Sequence, residues 1–488
     1  MLNELQYLAV GKNGSYADSG DYQTDAIQVE KIVEHIKEYN IDELVLYFHG
    51  GLVSEISGAG SIQNMINQLQ TGDPSRHVMG VIWKTGFKET LQENLTDIFS
   101  SKQGKNLLRW VIRIASKKLK IPSVKSGAYN GFSFNEIDEE IYRCTNGAAL
   151  FDGVELQINS VAKNYGAIDE QELIDLAREE LELFEYDPGF RQLWEDIPKS
   201  VTVNDDLLDD DNAKGLFSTV KLAGAIGKLA YKVIKRFINK TDHGFHATVV
   251  EEICRAYYIS DVGQWAWGEM KDKAEQMWSI DSGPCKDFLV KLERAVPGIK
   301  LQLIGHSAGS ICISHLLNKI EQNSWKFNVD NIFWLAPAAT SKLFKKEVID
   351  KPGRYKKFRM FTMADAYERK DTLVPSVPWL YPSSLLYCIA GILEDNTDYS
   401  LSGMARYHTG EKPYNNAMHK AVQAFLDPYG VRVFSPSPAH APVGFQTKSL
   451  SHGGFDDDRF TLSSLAHVLS GEAILEIESV VAPEPEPV

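Results

Sequence analysis

The sequence predicts an α/β protein built on one mostly parallel, doubly wound sheet that carries a large, mainly helical insertion. Short β-rich runs alternate with helical periodicity at the start of the chain and again beyond about residue 255, while the stretch between them reads as helix without strands. A Gly-x-Ser-x-Gly turn lies between a buried-strand pattern and a helix, a placement typical of a sheet whose strands end at a reactive edge.

Residues 5–10, 43–48 and 78–83 read as strands, separated by helical patterns at 24–39 and 62–69. Strands spaced by helices need crossover connections, which make them parallel and put helices on the faces of the sheet. The pattern resumes with a helical stretch at 261–278, strands at 299–304, 331–335 and 358–363, a last strand at 444–450 and a helix at 461–469. A catalytic core from 1–90 and 255–475 is therefore expected, with 91–254 inserted into it. The end, 476–488, with its Pro-Glu-Pro-Glu-Pro run, is expected to be a disordered acidic tail.

Composition narrows the function classes. With 488 residues, 43% hydrophobic and 24% charged, the chain can bury a large core. Its formal net charge of -15 argues against a nucleic-acid binder, which needs a cationic field to neutralise phosphates. Cys144, Cys254, Cys285, Cys312 and Cys388 are scattered, with no CxxC spacing, as expected of reduced structural thiols. The absence of a signal-like start and of any long apolar run predicts a cytoplasmic, non-spanning protein. There is no Walker A or Gly-x-Gly-x-x-Gly fingerprint, and His243-x-x-His246 lacks a third ligand, so no nucleotide cofactor and no metal is expected.

The strongest motif is Gly305-His306-Ser307-Ala308-Gly309, entered from the apolar run 301–304 and followed by a helical pattern. In such an elbow the serine takes a strained conformation, and the flanking glycines are needed where a side chain would strike neighbouring backbone. The helix that starts beside Ser307 points free amides at a developing negative charge, which makes Ala308 N–H one oxyanion donor. A second apolar strand, 44–48, runs into His49-Gly50-Gly51-Leu52, so the other donor is expected from Gly51 or Leu52.

The order nucleophile, acid, base places the remaining partners downstream of Ser307. Asp365 closes the 358–363 strand and is the expected acid, with Asp371 in Asp371-Thr372-Leu373-Val374-Pro375 as the alternative. Of the later histidines, His452 stands where a strand meets a glycine loop and is the expected general base. The chemistry would be acyl transfer: His452 takes the Ser307 proton, Ser307 attacks a carbonyl carbon, and water later releases the acyl group.

These residues resemble the α/β-hydrolase superfamily, and within it a bacterial serine esterase and lipase-like group. The resemblance rests on Phe48-His49-Gly50, Val81-Ile82-Trp83, Gly305-His306-Ser307-Ala308-Gly309-Ser310 and Trp334-Leu335-Ala336-Pro337 followed by Phe344. It implies the α/β-hydrolase fold and hydrolysis of a carboxylic ester, lipid or phospholipid acyl esters among them; a peptidase or amidase with the same triad and a non-catalytic interaction protein are the alternatives.

The insertion has no counterpart in that resemblance. Lys214, Lys221, Lys228 and Lys235 repeat every seven residues beside an apolar face within 213–240, and Arg109, Arg113, Lys117 and Lys120 form a second basic stripe within 101–125. One reading makes these helices a peripheral contact with an anionic membrane. The other pairs their charges with the acidic stretch 169–211 and packs them on the core.

Overall fold

The computed structural model describes residues 2–51, 53–70, 73–83, 87–123, 130–145, 150–151, 154, 157–158, 161, 168–184, 216–257 and 262–471. Seven strands, β1 (Tyr7–Val10), β2 (Glu43–Phe48), β3 (Arg76–Trp83), β4 (Lys300–His306), β5 (Asn328–Leu335), β6 (Lys357–Met363) and β7 (Arg432–Ser435), form one sheet in the order β1-β3-β2-β4-β5-β6-β7. Every pairing is parallel.

The order reverses between β2 and β4. From β2 the chain runs through the Glu55–Leu69 helix to β3 on one side, whereas β4 leads through the Gly309–Gln322 helix to β5 on the other. Diverging connections leave a crevice above the carboxyl ends of the two adjacent strands, where open α/β sheets place their sites. Register brings Phe48 opposite Gly305, so the His49-Gly50-Gly51 loop and the elbow leave the sheet at the same height.

Burial explains why the central strands are continuous apolar runs. All eight residues of β3 and all but Glu43 in β2 are buried, as required of strands covered on both faces. The helix Glu55–Leu69 shares one face with Arg459–Leu469, where Ile62, Met65, Leu462 and Leu465 pack with Val45 and Ile304. The helices Ala26–Glu38 and Pro284–Ala295 cover the other face through Val29, Ile32, Phe288 and Leu289.

One strand differs from expectation. Residues 444–450 form no ladder: Gln446 N–H donates to Ser464 Oγ at 2.9 Å, Thr447 N–H to Ser437 Oγ at 3.1 Å and Lys448 N–H to Asp458 Oδ2 at 2.8 Å, so side chains of the final helix, its N-cap and the preceding loop take these amides. The edge is made instead by β7, paired to β6 from Met360 opposite Arg432 to Met363 opposite Ser435.

The inserted segment contributes the helices Phe87–Ser100, Lys102–Lys118, Phe134–Thr145, Glu170–Phe184, Leu216–Asn239 and Phe245–Tyr257. Its basic stripes have different environments. In the 101–125 stripe, Arg113 Nη2 lies 2.6 Å from the buried Glu180, which Lys117 also contacts, so two of its four cations meet the Glu170–Phe184 helix, while Arg109 pairs with Asp138 at 2.7 Å; Lys118, beside the stripe, pairs with Glu172. Burial would raise the Glu180 carboxyl, but its hydrogen bonds with Lys117 and Arg113 hold it below the usual range. Lys221, Lys228, Lys232 and Lys235 are exposed, and no described carboxylate lies within ion-pair distance of them. Lys214, Lys125 and most of the acidic stretch, 185–211, lie outside the described residues, as do Leu52 and the tail 476–488.

A buried polar network fastens the insertion to the core. Arg236 pairs with Glu251 at 2.6 Å and Glu252 at 3.2 Å, and His243 bridges Glu251 at 2.8 Å to Asp398 of the core at 3.0 Å. His246 instead stacks toward Phe151 at a ring distance of 6.2 Å, so the two histidines of the His-x-x-His pattern do not converge. Among the described residues no helix is long and apolar enough to cross a membrane, and no group of three or more His, Cys, Asp or Glu side chains is arranged to hold a metal ion.

Candidate active site

At the end of β4 the chain turns sharply into the Gly309–Gln322 helix, with Ser307 at φ 51°, in the left-handed region that costs a non-glycine residue free energy. The turn is held by Ser307 N–H donating to Leu335 O at 2.8 Å and Ala338 N–H donating to Ser307 O at 3.0 Å. Both glycines are sterically required. A Cβ on Gly309 would lie 2.2 Å from Phe48 O, and one on Gly305 would lie 2.7 Å from the Gly309 carbonyl carbon. Ala308 takes the N-cap position, so its amide belongs to the positive end of a 14-residue helix.

The loop after β2 is fixed by His49. Its Nδ1–H donates to Gly50 O at 2.7 Å while its Nε2 accepts Trp83 N–H at 3.2 Å, which requires the neutral ring. Burial lowers His49 to about 4, consistent with that tautomer. Gly50 passes close over Ser307, where a Cβ would be 3.5 Å from Ser307 Cβ. Gly51 is tighter: its Cβ would lie 2.1 Å from Met270 Sδ and 2.8 Å from Ala308 Cβ. The Gly51 and Ala308 backbones are thus adjacent, while Leu52, the other named donor, is outside the described residues.

His452 opens a short helical turn, His452–Gly454, and its Nε2 lies 2.9 Å from Ser307 Oγ. The contact is buried, with Ser307 3% and His452 4% exposed. A hydroxyl facing an imidazole nitrogen at this distance can pass its proton to the ring as the oxygen attacks.

The carboxylates fall differently from the expected order of preference. Asp365 sits in the helical turn Asp365–Glu368, where Oδ1 accepts Tyr387 O–H at 2.6 Å and Oδ2 lies 3.2 Å from Arg369 Nε. Asp371 is the carboxylate beside the His452 loop, its Oδ2 accepting His452 N–H at 2.7 Å. Proximity to a strand end suggested Asp365, but the helical turn that follows β6 aims it at Tyr387 and carries the chain on to Asp371.

Sequence reasoning missed Asp456, four residues past His452. Its Oδ2 accepts Tyr47 O–H at 2.7 Å and lies 3.2 Å from His306 Nδ1, while His306 Nε2 lies 2.9 Å from His452 O. Burial would raise Asp456, yet His306 and Tyr47 hold it well below the usual carboxylate range. His306 is held above its ordinary value, since Asp456 outweighs the burial that would lower it. No spacing rule marks Asp456; only its position on the base loop hinted at it.

The fold and this constellation define a class: a parallel α/β protein with a hydrogen-bonded serine and histidine at the switch point of its sheet. No protein-family model matches the chain, and no curated protein and no solved structure matches it.

Proposed function

We propose that the protein is a serine hydrolase of the α/β-hydrolase type that cleaves a carboxylic ester through an acyl-enzyme. The observation that carries the reading is the Ser307–His452 hydrogen bond of 2.9 Å at a strained elbow, with Gly51 and Ala308 backbone packed beside it. Ser307 is the nucleophile and His452 the general base, Gly51 and Ala308 amides stabilise the oxyanion, and Asp371 replaces Asp365 as the acid that supports His452. The strand order favours this reading, because the oxyanion loop and the elbow then leave neighbouring strands at one level.

The burial of Ser307 and His452 favours a substrate delivered as a slender acyl chain, and the exposed ridge of Lys221, Lys228, Lys232 and Lys235 favours an anionic lipid surface as its source. The decisive experiment labels wild type and Ser307→Ala with a fluorophosphonate and measures turnover of p-nitrophenyl esters of increasing chain length. Labelling that disappears in the variant, with turnover rising toward longer chains, is the expected result. A wild type that neither labels nor turns over any ester would overturn the reading.

A further inference from the structure

We infer that His306 and Asp456 form a second histidine–carboxylate pair whose task is to position His452, a role that rests on the serine-hydrolase reading above. The two nitrogens of His306 face two acceptors. Nε2 is 2.9 Å from the carbonyl oxygen of His452, which can only accept, so that nitrogen carries a proton. Nδ1 is 3.2 Å from Asp456 Oδ2, whose negative charge is already steadied by the Tyr47 hydroxyl. Both bonds are satisfied together only by the doubly protonated ring, so a buried imidazolium–carboxylate pair stands directly behind the elbow, with His306 5% and Asp456 4% exposed.

The pair touches three parts of the site at once. Tyr47 precedes the oxyanion loop on β2, His306 is the residue before Ser307, and Asp456 shares the loop of His452. The backbone of His452 is thereby gripped on both sides, its N–H by Asp371 at 2.7 Å and its C=O by His306 at 2.9 Å. The base sits on an irregular loop with no strand ladder beside it, so these two bonds supply the rigidity that a strand end would have given. The His306 and His452 rings are 5.5 Å apart and tilted by 31°, so His306 acts through the His452 backbone and reaches neither Ser307 Oγ nor the acyl group. His306 is therefore a positioning residue, its two ring nitrogens engaged by His452 O and Asp456.

Other ionisable groups facing His306 are His49 on the oxyanion loop and Asp457 next to its partner. Neutral His49 contributes no charge, and the negative charge of Asp457 adds to that of Asp456 in favouring the protonated His306 ring.

The test compares His306→Leu, His306→Gln and Asp456→Asn by fluorophosphonate labelling rate, kcat and KM for a p-nitrophenyl ester, and thermal midpoint. Leu removes the donor to His452; the Gln amide can place an N–H where Nε2 stood. The expected result is a loss of ~10² in labelling rate and kcat for His306→Leu at nearly unchanged KM, the effect of displacing a reacting group by about 1 Å. His306→Gln should recover at least ~10-fold of that loss, and Asp456→Asn should fall between them with an earlier alkaline decline in rate. If folded His306→Leu labels at the wild-type rate, or Gln is no better than Leu at equal thermal midpoint, the positioning role is overturned while the hydrolase reading stands. A wild type that neither labels nor turns over any ester overturns the hydrolase reading itself, a separate observation.

Discussion

Asp371 and His452 meet through the backbone: Asp371 Oδ2 accepts the His452 N–H at 2.7 Å across 81 residues of sequence. Asp365, the carboxylate nearer the end of β6, is instead bound to Tyr387 and Arg369. The two acids can therefore be separated by isosteric substitution. Asp371→Asn is expected to lower kcat/KM by ~10³–10⁴, since an amide can still accept the backbone N–H but cannot stabilise a charged His452. Asp365→Asn should cost less than ~10-fold. Equal effects in steady-state kinetics would remove Asp371 from the proposed mechanism.

Ser307 is held in a backbone conformation that a non-glycine residue seldom adopts. At φ 51° glycine is relaxed and alanine is not, so Ser307→Gly should be more stable than Ser307→Ala by ~1 kcal/mol. Urea unfolding of both inactive variants measures the difference, and a midpoint for Ala at or above that for Gly would argue that the turn is unstrained.

The glycines of the elbow and of a neighbouring helix should respond in opposite directions to alanine. Gly309→Ala puts a methyl 2.2 Å from Phe48 O, a backbone atom that cannot step aside, and should destabilise by more than ~2 kcal/mol while suppressing labelling. Gly60, inside the Glu55–Leu69 helix, has nothing within 4 Å of the added carbon. Gly60→Ala should stabilise by ~0.5–1 kcal/mol through helix propensity.

Acid should unfold the protein through its buried neutral histidines. Burial lowers His49, His77 and His246 to about 4 and His408 to about 3, against an ordinary value of 6.5. Between roughly pH 6.5 and 4 the unfolded chain then binds more protons than the folded one, so stability falls as pH falls across that window. Above it both states are neutral at these positions, and their contribution to the pH dependence vanishes. Each such histidine adds a slope of up to about 1.4 kcal/mol per pH unit. Urea midpoints that are flat from pH 7 to 4.5 would contradict the burial of these rings.

The lysine ridge yields a prediction for lipid surfaces. Vesicles rich in anionic lipid should float the protein and accelerate fluorophosphonate labelling, both effects fading as salt rises. Zwitterionic vesicles should do neither. Glu in place of Lys221, Lys228, Lys232 and Lys235 should abolish flotation; flotation that survives these changes would move the contact elsewhere on the molecule.

What the sequence revealed about the site depended on how local each signal was. The elbow and the His49-Gly50-Gly51 loop were legible because strand, turn and helix are contiguous, and their glycines are dictated by clashes with atoms a few residues or one strand away. The choice between Asp365 and Asp371 was not local, since it turns on a four-residue helical turn that redirects the chain after β6. The last strand was misplaced because 444–450 has the right alternation, yet its amides are claimed by Ser464 and Asp458 from a helix still to come. Four residues at Arg432–Ser435 were too short to stand out, although they complete the sheet. Asp456 left no pattern at all, because its partners Tyr47 and His306 belong to two other strands.

The separation of 145 positions between Ser307 and its hydrogen-bonded partner His452 also sets a timetable. A ribosome making the chain from its amino end finishes Ser307, its elbow and the His49-Gly50-Gly51 loop while His452, Asp456 on the same loop and the Arg459–Leu469 helix are still unmade. Until His452 has emerged and docked, Ser307 Oγ lacks the imidazole that faces it at 2.9 Å, so this pair forms only after the chain between its members has been made.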